Sequence, residues 1–130
     1  VDLAAFAGFA AGSGPLLLDG SDGPSIGIAQ GARIEGLADD AFLVIAAPTI
    51  EMAGEVFVDG SVVYAASQAL QLTHASGLFE IQIPVGTASA VAIRHSGATG
   101  GPSSTGAGDE HIIYAVTRPL DNGPPVEMLF

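Results

Sequence analysis

Residues 47–64 read APTIEMAGEVFVDGSVVY. Ile50, Met52, Val56 and Val58 share one parity, and Glu51, Glu55 and Asp59 share the other. Side chains alternate between the two faces of a strand, so this pattern predicts an aliphatic face opposite an acidic one. Phe57 falls on the acidic side and asks for a cover, from a loop or from another subunit. Gly54 and Gly60 punctuate the stretch as bulges or turns do. Asp59-Gly60 predicts a tight hairpin turn into SVVYAA.

Upstream, AFLVIAA (41–47) is a continuous apolar run, as expected of a strand buried on both faces, and Pro48 ends it. SIGIA alternates, and ARIEG is short and closes on glycine. Downstream come ALQLTH (69–74), LFEIQIPV (78–85), SAVAIRH (89–95) and EHIIYAVT (110–117). Pro84 cannot donate to a ladder, so the second of these belongs at a sheet edge or ends there. Short strands about eight to twelve residues apart, bounded by Gly, Asp and Pro, predict an all-β fold, an antiparallel β-sandwich or jelly-roll-like domain over 26–118. Its expected core is Ile26, Ile28, Leu43, Ile45, Ile50, Met52, Val56, Val58, Leu70, Leu72, Phe79, Ile81, Ile83, Val91, Ile93, Ile113 and Ala115. ARIEG, TIEMAG and VFVDG echo one another, but their spacing is unequal, so no solenoid is expected.

The ends read differently. Residues 1–25 form an arm and turn region. Leu3, Phe6, Ala7 and Ala10 have helical spacing behind Asp2 as a cap, yet the same residues suit an extended arm lying on a neighbouring chain. GSGP and DGSDGP are turn chemistry. SGATGGPSSTGAG (96–108) is a long, small, polar loop. Residues 119–130 are a Pro-rich tail ending in Met128, Leu129 and Phe130, suited to docking on another chain. The expected interface residues are therefore Leu3, Phe6, Phe9, Phe57, Met128, Leu129 and Phe130.

Composition excludes several functions. A chain of 130 residues suits one domain. Fourteen acids face three arginines (Arg33, Arg94 and Arg118) and no lysine, for a net charge of −11. Nucleic acid needs phosphate-neutralising bases, so it is not an expected partner. Anionic membrane surfaces are excluded on the same ground, and no run of eighteen apolar residues could span a bilayer. Without cysteine there is neither a disulfide framework nor a thiolate site. The chain begins at Val1 rather than Met, as a processed chain or a fragment would, and its apolar start lacks the basic region of a signal peptide.

No catalytic signature stands out. There is neither a G-x-S-x-G elbow nor a supported Ser–His–Asp order. His95 and Ser96 are adjacent, so on a strand they point to opposite faces. His95 and His111 border the same loop, where Asp109 and Glu110 would be their neighbours in a metal site or small hydrolase centre. Calcium is the better metal expectation, since Asp19 and Asp22 in DGSDG and the pair Asp39-Asp40 cluster oxygen ligands. Turn chemistry explains the same residues. With no Trp and few Tyr, a sugar-stacking surface is poorly supplied.

APTIEMAGEVFVDGSVVY resembles the strand repeats of bacteriophage tail spikes, fibres and other β-structural virion proteins. Thr49, Ile50, Glu51, Gly54, Val56, Val58 and Gly60 match their apolar–Thr–Ile–Glu–x–x–Gly–x–Val–x–Val–x–Gly phrase. The resemblance implies a non-enzymatic structural or assembly protein of a phage-like particle, a capsid decoration, spike or fibre component. It further implies self-association as a homotrimer, contact with other virion or extracellular assembly subunits, and a place on a virion or outside the cell. The competing expectation is a secreted calcium- or glycan-binding β-sandwich module. No cofactor other than calcium is expected.

Overall fold

The computed structural model describes residues 14–20, 23–75, 78–103 and 111–130. These residues form strands and connections without a helix. In chain order the strands are β1 (Leu16–Asp19), β2 (Ser25–Ile28), β3 (Arg33–Ala47), β4 (Thr49–Met52), β5 (Glu55–Ala66), β6 (Ala69–Ala75), β7 (Leu78–Val85), β8 (Val91–His95), β9 (Ala98–Gly100), β10 (Ile113–Thr117) and β11 (Glu127–Leu129).

The all-β expectation holds, but most of the pairing is parallel. One sheet runs β11-β8-β4-β2 and a second runs β10-β5-β3, with β9 also beside β5. Both are parallel throughout. Only the third sheet, β1-β6-β7, is antiparallel, so an antiparallel sandwich or jelly roll does not describe the chain. The reason lies in the turns. Asp59-Gly60 makes no hairpin, because β5 runs straight through it and pairs with β3 on either side. The chain instead rounds a corner after β2, crosses in β3, rounds Pro48 into β4, and so returns one rung further along.

Successive coils therefore stack. Ser25 lies beside Thr49, Arg33 beside Glu55, and Leu43 beside Val62. ARIEG thus sits on EVFV, whereas TIEM sits on SIGI, so the three echoing phrases do not form one stack. Corners are joined through the backbone: the Ala53 N–H donates to the Ile28 carbonyl at 2.8 Å, Glu55 to Ala32 at 2.8 Å, and Ala98 to Gly54 at 3.0 Å. At Gly97 the stack is tight enough that a Cβ would lie 2.0 Å from the Gly54 carbonyl oxygen. On the opposite corner the fully buried Thr87 donates its hydroxyl to the Pro48 carbonyl at 2.7 Å, and its N–H bonds the Arg118 carbonyl at 2.8 Å.

Two cores follow. The first lies between the parallel sheets and holds Ile28, Ile45, Ile50, Met52, Val56, Val58, Val62, Tyr64 and Ile93. The second lies between the β3–β5–β10 sheet and the antiparallel sheet and holds Leu16, Val63, Ala65, Leu70, Leu72 and Phe79. β5 is central to both, so Ser61 through Ala66 are all buried. AFLVIAA likewise feeds both cores, Leu43, Ile45 and Ala47 on one side and Phe42, Val44 and Ala46 on the other. Each Val- to Phe-sized side chain so buried stabilises by roughly 1.5–3 kcal/mol.

Pro84 lies on β7, at the edge of its sheet, as its missing N–H requires. LLL (16–18), expected between turns, begins β1 and pairs with β6. Ile26 and Ile113 depart from the expected core and are exposed, because they occupy the outermost rungs. The expected arm and tail boundaries cut across the sheets, since β1 and β11 are strands of them.

Candidate functional site

The stacked rungs set side chains in rows. Ile26, Ile50, Ile93 and Met128 occupy neighbouring register positions on β2, β4, β8 and β11. The two inner members are fully buried, whereas Ile26 is 37% and Met128 38% exposed. Beside them β3 is the last strand of its sheet, so one edge of this 15-residue strand has no neighbour among the described residues. Unpaired backbone next to uncovered apolar side chains is a template for another strand.

That edge carries charge. The register jumps from Gly36 beside Val58 to Ala41 beside Gly60, which pushes out a bulge from Leu37 to Asp40. Asp40 has a left-handed backbone, φ 57°, as a short polar residue tolerates. Arg33 bonds Glu35 and reaches Glu55 at 2.5 Å. The Glu35 carboxylate raises the Arg33 pKa above its ordinary value, and Glu55 acts in the same direction. The Arg33 guanidinium also lies over the Phe57 ring at 5.3 Å. Phe57 thus finds part of its cover within its own chain.

Of the other expected interface residues, Leu3, Phe6 and Phe9 lie outside the described residues. Met128 and Leu129 belong to β11, which pairs with β8, so the tail docks on its own chain. Phe130 stacks on His95 with ring centroids 5.9 Å apart, yet is 73% exposed.

Under Phe130 lies a polar chain that sequence reasoning missed. The Tyr64 hydroxyl is 2.5 Å from Thr99 Oγ1, and His95 Nε2 is 2.7 Å from the same oxygen. Tyr64 is fully buried, and that burial raises its pKa, with Thr99 partly opposing. Thr99 Oγ1 can accept the Tyr64 proton while donating its own to His95, so one oxygen serves both neighbours. The arrangement satisfies a buried phenol. The signal available in the sequence was Tyr64 itself, a hydroxyl inside a run of small apolar residues that would need a partner once buried.

His111 goes elsewhere. Its Nδ1 is 2.9 Å from the Pro102 carbonyl, and its Nε2 lies 3.0 Å from an Asp59 carboxylate oxygen. His95 and His111 therefore have different partners rather than one shared site. Asp109 and Glu110, their expected neighbours, lie outside the described residues, as does Asp22.

Asp19 ends β1 and lines a cleft of about 270 Å³ with Leu18, Ser25, Ile26, Pro48 and Gln68. Asp39 and Asp40 sit apart from it on the β3 bulge. Among the described residues, no three His, Asp or Glu side chains come together to hold a metal ion. No helix among the described residues is long and apolar enough to cross a membrane. Comparison with protein-family models, with curated proteins and with solved structures finds no match for this chain.

Proposed function

We propose that this chain is a non-enzymatic structural protein of a phage-like particle, a capsid decoration, spike or fibre component that works through contacts between subunits. The observation that carries the reading is the row Ile26–Ile50–Ile93–Met128, buried in its middle and more than a third exposed at both ends. Stacked coils bury an apolar core only where a neighbouring rung covers it, so terminal rungs need a cap or a partner. A second copy supplies rungs of the same spacing and chemistry. The acidic surface, at a net charge of −11, disfavours unspecific approach and leaves association to these ends.

The test is mass in dilute solution together with two substitutions, Ile26→Lys and Met128→Lys. The reading expects an oligomer, a homotrimer on the virion analogy, that each lysine loosens while far-UV circular dichroism stays unchanged. A monomer at all concentrations up to about 100 μM, well above the dissociation constants of stable assemblies, would overturn it. So would an oligomer that both lysine variants leave intact.

A further inference from the structure

His111 stands where the chain re-enters the stack after the long polar loop. It immediately precedes Ile112, whose carbonyl accepts the Val62 N–H at 3.0 Å, and β10 begins at Ile113 beside Val62. Both sides of its ring meet oxygen. A carbonyl only accepts, so the contact of Nδ1 with the Pro102 oxygen requires a proton on Nδ1. The neutral ring then presents a bare lone pair at Nε2 to the Asp59 carboxylate. The doubly protonated ring instead carries the charge opposite to that of Asp59, whose carboxylate oxygen lies 3.0 Å from Nε2. Both side chains are largely shielded, at 16% and 21% exposure, which weakens the screening of the pair by water.

We propose that His111 and Asp59 form a pH-sensitive latch. The imidazolium ties the Pro102 backbone and the start of β10 to the middle of β5, and loss of its proton loosens that junction. The junction lies against a small cavity of about 170 Å³ walled by Val58, Gly60, Val62, Gly101, Pro102 and Ile113. None of those six side chains titrates. The charged group that faces the His111 ring from β5 is Asp59. Asp109 and Glu110 precede His111 in sequence and lie outside the described residues. Asp59 is an acid and favours the charged ring.

The direction follows from linkage. An ordinary histidine loses its proton near pH 6.5. A carboxylate beside an imidazole favours its charged form, so on this proposal the latch contributes fully below about pH 6.5 and is lost as pH climbs through the point where the folded ring gives up its proton. The latch is independent of what the ends of the stack bind.

Two measurements on the whole chain test it. In the first, the ring signals of His74, His95 and His111 are assigned by single His→Gln variants and titrated by NMR. His111 is expected to lose its proton at higher pH in the wild type than in Asp59→Asn. In the second, protection of the Val62 amide is followed from pH 5.5 to 9 after correction for intrinsic exchange. Protection is expected to fall severalfold in the wild type and to be flat in His111→Gln, which reads the latch even if Asp59→Asn folds poorly. A His111 titration that Asp59→Asn leaves in place would overturn the latch, as would Val62 protection that does not change with pH in the wild type.

Discussion

Replacing Thr99 with valine keeps the shape of the side chain and removes the one oxygen shared by Tyr64 and His95. The two neighbours respond differently. His95 is half-buried and can turn its nitrogen toward water. Tyr64 is fully buried, so its hydroxyl loses its partner with no solvent to replace it. An orphaned buried hydroxyl costs about 1–3 kcal/mol, and full burial points to the upper half of that range, about 2 kcal/mol. For a domain of this size each kcal/mol moves Tm by about 3–6 °C, so Thr99→Val should melt about 6–12 °C lower. Tyr64→Phe leaves Thr99 with His95 as its partner and should cost about 1 kcal/mol or less. The double variant should then be little worse than Tyr64→Phe alone, a coupling of about 1–2 kcal/mol. Urea unfolding followed by far-UV circular dichroism measures all four proteins, with an unchanged m-value as the check on a two-state comparison. Costs that simply add, or a Thr99→Val variant within about 0.5 kcal/mol of the wild type, would refute the polar chain as drawn. The same burial predicts an alkaline limit. Because the folded phenol holds its proton above the ordinary value, its contribution is complete below about pH 10 and falls away as pH rises through the folded pKa.

Other outcomes follow from the packing. Gly60→Ala would place a Cβ 1.8 Å from the Ala41 carbonyl oxygen, so β3 and β5 must part at the bulge; thermal melting should show a loss of about 2 kcal/mol or more. Leu72→Ala empties a fully buried position in the second core and should cost about 2–5 kcal/mol by urea unfolding. A cost under about 1 kcal/mol there would mean that the β6–β7 hairpin does not pack on β5 as described.

Local patterning was legible in the chain, and the long-range arrangement was not. Phe79 and its period-two neighbours marked β7 at its true bounds, 78–85. Ile50, Met52, Val56 and Val58 are buried while Glu51 and Glu55 face water, as parity required. Parity, however, says nothing about which strand lies alongside or in which direction. The stack stayed hidden because its rungs are offset unequally: Ser25 to Thr49 spans 24 residues, Arg33 to Glu55 spans 22 and Leu43 to Val62 spans 19. The β6–β7 hairpin and the stretch from Gly101 to Ile112 then intervene before the third coil closes. Val62 to Ala66 were overlooked as core because a period-two reading assigns one wet face, whereas β5 has none there. Phe57 looked orphaned because its cover, Arg33, comes from the preceding coil 24 positions earlier.

The unequal offsets also order the assembly of the chain in time. Bringing Leu43 against Val62 closes a loop of 19 residues, while bringing Ile113 against Val62 closes one of 51. The longer closure costs about 0.9 kcal/mol more chain entropy. By the same measure the β6–β7 hairpin and the β3–β5 ribbon form before β10, which zips onto a surface that already exists. Mutations along β3 should slow folding, and mutations in β10 should chiefly hasten unfolding.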